Sequence, residues 1–173
     1  MTPTTFLTRC NPRAADSIVS SGVSSGELAL NPNIPTLADI AEIYGVSTAV
    51  LWVKIQIDNA DSMGGARVID KNVIEDVARL VYAKYKNLNT SNLLQFFARY
   101  KLGEYNDATA YVGGAEKILV ALRLYNTSTE DDVRRLQREE YYKQQAEERE
   151  RWRASAITYD EYKATNGEVD CGG

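Results

Sequence analysis

The sequence predicts an all-α protein, built from a helix-turn-helix-like pair, a three-helix core and a long charged C-terminal helix. Three observations support this prediction. Apolar residues recur every three or four positions between Asp70 and Tyr125, which places them along one side of α-helices. Residue types that commonly cap helices precede these segments, and glycines separate them. Residues 126–153 carry closely mixed charges, as is typical of a solvated helix.

Composition indicates an ordinary soluble protein. The chain has 173 residues, of which 44% are hydrophobic and 25% charged, as expected for one domain with polar ends. No apolar run approaches the roughly 18–20 residues that cross a bilayer, and the first ten residues lack the layout of a signal peptide. We therefore expect a cytoplasmic protein without membrane contact. Cys10 and Cys171 lie in the polar ends, where free thiols are expected rather than a disulfide or a zinc site.

The absence of histidine excludes many kinds of active site. Ser-His-Asp and Cys-His nucleophile systems, histidine general bases and histidine metal sites all require this residue. The chain also lacks the glycine-rich motifs that bind nucleotide phosphates. Its acidic residues fall on helices that look exposed, rather than in apolar surroundings that would raise a carboxyl pKa. We expect no enzyme activity, no catalytic residue, no metal, no cofactor and no small-molecule substrate.

Residues 1–35 are predicted to form a flexible N-terminal arm. They are rich in Ser, Thr, Asn, Pro and Gly and contain few apolar side chains, so they cannot offset their own ordering entropy unless they dock on something. Asn31 to Pro35 marks the boundary, because proline restricts its own backbone and that of the residue before it. Residues 36–125 are then the helical core domain.

A motif at residues 36–51 is similar to the helix-turn-helix of bacterial DNA-binding regulators. Thr36 and Asp39 have the spacing of a capping box. Gly45 stands where the turn of this motif needs a positive φ, and Val46 stands at the position of its buried turn residue. The resemblance implies that the second helix, starting near Ser47, is the one that contacts DNA.

That second helix departs from the pattern of a DNA reader. Recognition helices place short polar and basic side chains in the major groove, whereas this one carries Trp52 and Val53. Three interpretations stay open: part of the core, a DNA-reading helix, or a helix-turn-helix shape that contacts protein. DNA reading requires that the polar candidates face solvent, whereas protein contact requires Trp52 and Val53 to be buried or to form an apolar patch. The candidate contacts are Ser47, Thr48, Trp52, Lys54 and Gln56.

Three amphipathic helices are predicted to follow. The first has Val73, Val77, Leu80 and Val81 on its core side. The second is capped by Thr90 or Ser91, is apolar over more than half its circumference, and ends before Gly103. The third begins at Gly113-Gly114. The second helix must therefore lie at the centre of the core. Its aromatic and basic residues also suit stacking on single-stranded nucleic acid, although core packing is the simpler explanation.

The segment LLQFFARYKLGEY, residues 93–105, resembles a group of small uncharacterised helical proteins of phages and integrated mobile elements of gut bacteria. The resemblance extends over residues 34–153 and includes the Arg-rich helix that follows. Asn106 occupies a position where glycine is common in that group, so this turn is expected to differ. The resemblance implies a helical fold and a mobile-element context, and it assigns no catalytic or binding residue.

Residues 126–153 are predicted to form a charged, projecting helix. Thr127, Ser128 and Thr129 each precede an acidic residue by three positions, and these overlapping capping boxes predict its start. Residues 154–173 are predicted to be a disordered tail with one short helix. The charges are those of a solvated face, or alternatively contact an acidic partner or phosphates. The candidate contacts are Arg134, Arg135, Arg138 and Lys143.

These observations favour a non-enzymatic binding or adaptor protein of a phage or mobile element, acting through protein contacts in replication or transcription. A protein partner or self-association is the expected interaction. A helix-turn-helix DNA-binding regulator is the alternative. The net charge of −4 and the pI near 5.0 disfavour non-specific duplex binding, because that binding needs clustered cations.

Overall fold

The computed structural model describes residues 14–62, 69–156 and 159–166, and these residues form an all-α fold without β-strands. The all-α prediction is confirmed. Cys10, Cys171 and Thr158 lie outside the described residues. The helices are α1 (Ala14–Ser20), α2 (Ser25–Leu30), α3 (Leu37–Tyr44), α4 (Val46–Ser62), α5 (Lys71–Tyr85), α6 (Thr90–Lys101), α7 (Gly114–Ser155) and α8 (Tyr159–Asn166).

Local capping determines where several of these helices begin. Ser24 and Thr36 each form a complete capping box, with Glu27 and Asp39 respectively. The start of α6 is capped by Asn89, whose side chain accepts a hydrogen bond from the Asn92 backbone N–H, and not by Thr90 or Ser91 as predicted. Such a cap satisfies backbone N–H groups that have no partner inside the helix.

The core is organised around α4 and α6. Helix α4 packs against α3, α5 and α6, and α6 also contacts α1 and α2. Phe96, fully buried on α6, has aromatic neighbours on several sides, with ring centroids between 4.9 and 6.0 Å away. The predicted central position of this helix is confirmed. The buried apolar cluster runs from Leu37 to Tyr125, which is the range predicted for the core domain.

The core face of α5 differs from the predicted one. Val77 and Val81 are buried as expected, but Val73 and Leu80 are exposed, Leu80 by 56%. The buried stripe is instead completed by Ile74, Ala78 and Tyr85. Both stripes have helical spacing, so periodicity alone cannot choose between them.

The N-terminal segment also differs from a flexible arm over its described part. Helices α1 and α2 contact α6, and Leu28 is buried. Side-chain amides of α6 donate hydrogen bonds to backbone carbonyl oxygens of this segment, for example from Asn92 to Ser25 at 2.9 Å. The segment has few apolar residues, although Ile18 and Val19 pack against the core. Its docking also uses polar contacts that no hydrophobic pattern reveals.

Helix α7 is continuous through the predicted start at residues 126–129. The side chains of Thr127 and Thr129 donate to the carbonyl oxygens of Arg123 and Tyr125, one turn earlier. Their hydroxyls therefore bond within the helix instead of capping a new one. The predicted third core helix and the charged helix are one helix, which begins at Gly114 as expected.

The chain divides into two compact units, residues 1–134 and 135–173. The first contains α1 to α6, the beginning of α7 and the whole core cluster. In the second, the large side chains Tyr141, Tyr142, Trp152 and Tyr162 are all exposed. The described part of this second unit therefore has no apolar core of its own.

Candidate protein-binding surface

The candidate contacts on α4 do not form a polar surface. Trp52 is 1% exposed and Gln56 is 2% exposed, so neither side chain can reach a base edge. The other three candidates are accessible to different degrees. Ser47 is exposed, Thr48 donates to the Tyr44 carbonyl oxygen, and Lys54 is half-buried. Helix α4 is thus a core helix, which was one of the three interpretations that the sequence left open.

Lys54 is engaged by α5. Its Nζ lies 3.0 Å from a carboxylate oxygen of Glu75, and Arg79 contacts the other oxygen at 2.9 Å. Hydrogen bonds from Arg79 first and Lys54 second hold the pKa of Glu75 below its usual value. The ion pair between Lys54 and Glu75 connects α4 to α5. The Lys54 ammonium group is therefore already paired and is less available to a phosphate.

The junction of α3 and α4 keeps only part of the helix-turn-helix pattern. The Thr36 capping box and the positive φ of Gly45, +89°, agree with the predictions. Val46 was predicted to be the buried residue of the turn, but it is 51% exposed and is already the first residue of α4. A single glycine therefore connects the two helices, where the motif has a turn of about three residues.

Arg134 and Arg135, two of the four basic candidates on α7, contact acidic neighbours of the same helix. Arg134 lies 2.9 Å from Asp131 and 3.6 Å from Glu130, and Arg135 lies 3.2 Å from Glu139. Arg138 and Lys143 are exposed on the second unit. Exposed pairs of this kind contribute little to stability and reduce the attraction for phosphates.

A more distinctive surface is an apolar groove between α5 and the first turns of α7, here called the α5–α7 groove. It encloses about 500 Å³. Leu80, Leu119 and Val120 supply its large aliphatic side chains, and Leu80 is mostly exposed. The lining residues are Leu80, Ala83, Lys84, Tyr85, Glu116, Leu119, Val120 and Arg123.

Two cations border the α5–α7 groove. Lys84 lies over the ring of Tyr85, 5.6 Å from its centroid, and Arg123 is exposed on α7. Burial raises the pKa of the Tyr85 phenol, and Arg123 partly opposes that shift. Among the residues that the structure describes, no carboxylate forms an ion pair with Lys84 or Arg123. The groove border therefore has cationic groups open to a partner, although the protein as a whole is acidic.

The sequence of α5 contains more residues at helical spacing than one core face needs, but periodicity alone does not show which of them face the core. Helix α5 has two neighbouring stripes, one through Ile74 and Val81 and another through Val73, Leu80 and Lys84. One core face needs only one such stripe. Leu80 and Lys84 of the second stripe line the groove, and contiguous exposed apolar surface marks contact sites.

Comparisons with known proteins found no relative of this chain. The fold defines the class of the molecule, an all-α protein. No protein-family model matches the chain, no curated protein matches it, and no solved structure matches it. Within the described residues, no group of acidic or cysteine side chains is placed to hold a metal ion, and no helix has the length and apolarity needed to cross a bilayer.

Proposed function

We propose that this protein is a non-enzymatic adaptor that binds a helical segment of a partner protein in the α5–α7 groove. The observation that carries the proposal is the apolar lining of the groove, with Leu80 exposed on a stripe that the core does not use. Grooves between two helices commonly accept the apolar face of an amphipathic helix. Covering these aliphatic side chains removes apolar surface from water, which is favourable by about 25 cal/mol per Å².

The charges of the groove border indicate the chemistry of the partner. Lys84 and Arg123 favour acidic residues beside the apolar face of the incoming helix, whereas Glu116 is the one anion among the lining residues. Complementary charges of this kind orient a partner and increase its association rate more than they increase affinity. We therefore propose an acidic amphipathic helix as the ligand.

The wider setting of the proposal is regulation of replication or transcription by a phage or mobile element, in the cytoplasm. The resemblance of residues 93–105 to helical proteins of such elements supports it. DNA binding through α4 is not part of the proposal, because Trp52 and Gln56 are buried and Lys54 is paired with Glu75.

Selection from a random library of helical peptides, displayed and panned against the purified full chain, tests the proposal. We expect enriched peptides to have apolar residues at helical spacing beside acidic residues. Their affinity, measured by fluorescence anisotropy, should fall at least about tenfold in Leu80→Glu, since this change removes apolar contact and adds like charge. Leu102→Glu is the matched control, because Leu102 is exposed and does not line the groove.

Charge exchange sharpens the test. Lys84→Glu with Arg123→Glu should weaken the acidic peptides, and replacing their acidic residues by lysine should restore binding. The proposal fails if no helical peptide is enriched, or if Leu80→Glu and Leu102→Glu affect the enriched peptides equally. Saturable binding of duplex DNA with a steep salt dependence, lost on changing Lys54, would instead support the regulator that was the alternative.

A further inference from the structure

In the second unit, the described part of α7 is exposed on all sides. From residue 137 to residue 155 every side chain is exposed except that of Gln145, which is half-buried. Tyr141 is exposed, and Trp152 is exposed by 70%. Most helices in proteins are stabilised by packing on one face, and covering an aromatic side chain buries about 150–250 Å². A partner that covers these two rings would therefore stabilise this part of α7.

The two aromatic residues belong to one stripe of the helix, here called the α7 seam. Its positions are separated alternately by three and four residues, which is the spacing of the contact positions in a coiled coil. Gln145 donates to the Tyr141 hydroxyl at 3.0 Å, so neighbouring positions of the seam contact each other. The seam consists of Arg138, Tyr141, Gln145, Glu148 and Trp152.

The order of charges along the α7 seam indicates what kind of partner fits it. In a parallel pair of two copies, Arg138 would face Arg138 and Glu148 would face Glu148. An antiparallel pair instead places Arg138 opposite Glu148 of the second copy, and Tyr141 opposite Gln145. Each contact then occurs twice, because the two copies are related by a twofold axis. The seam is therefore complementary to itself when the two helices are antiparallel.

The same charges select one antiparallel register. Shifting the second copy by one heptad in one direction places Arg138 opposite Tyr141, and shifting it in the other direction places Arg138 opposite Ser155. Neither shifted register gives Arg138 a carboxylate in the facing seam. The register that pairs Arg138 with Glu148 is therefore favoured, since like or missing charges discriminate against the others.

The residues beside the seam are compatible with this register. Tyr142 follows Tyr141, with the two ring centroids 5.8 Å apart, and it lies opposite Tyr142 of the second copy near the twofold axis. Arg135 lies opposite Arg149, which is unfavourable. Glu139 reduces this repulsion, because it is 3.2 Å from Arg135.

We propose that the protein forms a weak homodimer by antiparallel pairing of the α7 seams of two copies. The paired segment, from Arg138 to Trp152, is about 22 Å long at 1.5 Å per residue. Such an interface is at the small end of those that support specific association, where complexes are transient. We expect a dissociation constant of about 10–100 µM.

Sedimentation velocity of the full chain, between about 5 and 500 µM, measures the association. A reducing agent is present throughout, so that Cys10 and Cys171 cannot link two copies by a disulfide. We expect a reversible equilibrium between monomer and dimer. Raising potassium chloride from about 50 to 500 mM should weaken the dimer several-fold, because salt screens exposed charges.

Charge exchange tests the pairing of the two seams. Glu148→Arg should raise the dissociation constant at least about tenfold, because it places arginines opposite each other at two positions. Combining it with Arg138→Glu should restore the dimer, since the order of charges is then reversed.

Glu150→Arg is the matched control. It changes the net charge by the same amount, but Glu150 lies on the side of α7 away from the seam, so the dissociation constant should not change. Far-ultraviolet circular dichroism checks that each variant keeps its helix content.

The proposal is overturned if the full chain stays monomeric over the whole concentration range, or if Glu148→Arg and Glu150→Arg change the association equally. A double variant that does not restore the dimer would overturn the antiparallel pairing. Leu80→Glu should leave the dimer unchanged, and a weaker dimer in this variant would mean that the copies associate through the α5–α7 groove instead. The adaptor proposal is tested by peptide binding, so the two proposals can fail separately.

Discussion

Three amide side chains, one at the N-cap of α6 and two within the helix, hydrogen-bond to the N-terminal segment. Asn89, Asn92 and Gln95 are three residues apart, so they share one face of the helix. They donate to the carbonyl oxygens of Leu28, Ser25 and Val23 at 2.6, 2.9 and 2.9 Å. Each bond satisfies a polar group that docking removes from water. Because the acceptors are backbone oxygens, these three bonds do not depend on which side chains the segment carries.

Tyr125 connects this amide row to α7, and its replacement by phenylalanine is expected to destabilise the fold. The hydroxyl accepts from Asn92 and donates to Gln95, and burial raises its pKa. Removing it leaves both amides with an unsatisfied atom, at a cost of about 1–3 kcal/mol. Urea denaturation of Tyr125→Phe measures this loss. Tyr142→Phe, at an exposed residue of the same helix, should change stability by less than about 0.5 kcal/mol. Equal effects would contradict the network.

The raised pKa of the Tyr105 phenol predicts that the protein loses stability at alkaline pH. Burial against residues such as Phe96, 5.8 Å away, raises the pKa of its phenol to about 12, and Arg99 opposes this shift. In the unfolded chain a tyrosine pKa is about 10. The folded state therefore retains this proton longer, so the stabilisation is complete below about pH 10 and is lost as pH rises towards about 12.

The measurement is the urea midpoint of the wild type and of Tyr105→Phe across this pH range. We expect the wild type to lose stability more steeply with pH, because the variant has one fewer phenol to ionise. The same slope in both proteins would contradict a raised Tyr105 pKa.

At the scale of elements, one glycine determines how α3 and α4 join. Gly45 has φ +89° and ψ 150°, a region that residues with a Cβ avoid. Its N–H donates to the Ala41 carbonyl oxygen at 2.9 Å and so ends α3. Helix α4 begins at the next residue, which leaves no room for a longer turn.

Gly45→Ala is expected to destabilise the protein by about 1–3 kcal/mol, because the strain comes from the backbone and not from crowding. No atom lies within 4 Å of a Cβ built at Gly45. Gly113→Ala is the matched control, since Gly113 also has open space and no positive φ. It should be neutral or slightly stabilising, because alanine restricts the unfolded chain more than glycine does. Thermal unfolding of both variants measures the difference. Equal melting temperatures would show that no glycine-specific backbone is required at Gly45.

At the scale of the whole molecule, the apolar core and the charged sequence occupy different parts of the chain. Every residue of the core cluster lies between Leu37 and Tyr125. The ion pair between Arg135 and Glu139 in the second unit is exposed, and such a pair contributes at most about 1 kcal/mol. Folding of the first unit therefore should not require residues 135–173.

A chain shortened to residues 1–134 is expected to keep the fold of the first unit. It retains the complete core cluster and the bond from Ser25 to Asp132 at 2.9 Å. Near-ultraviolet circular dichroism should be preserved, because the buried Trp52 and the aromatic side chains around Phe96 remain. The urea midpoint should correspond to a stability change of no more than about 1 kcal/mol. A shortened chain without a cooperative transition would contradict this division of the molecule.

Some features of the helices and of the candidate site were predictable from the sequence, and others were not. The capping box of Thr36 and the turn at Gly45 were predictable because they involve residues at most a few positions apart. The α5–α7 groove was not predictable from helical periodicity, because it depends on which of several suitable helix faces becomes covered.

The sequence by itself determined the all-α fold and the central position of α6, since apolar residues surround that helix on more than half its circumference. Only the tertiary structure decided that residues 14–30 dock, that Trp52 and Gln56 are buried, and that α7 continues through residue 126. The physical reason is distance along the chain. Helix caps and periodicity are local. In contrast, Asn92 is bonded to Ser25, which is 67 residues away in the chain, and to Tyr125, which is 33 residues away. Such contacts exist only once the helices have packed.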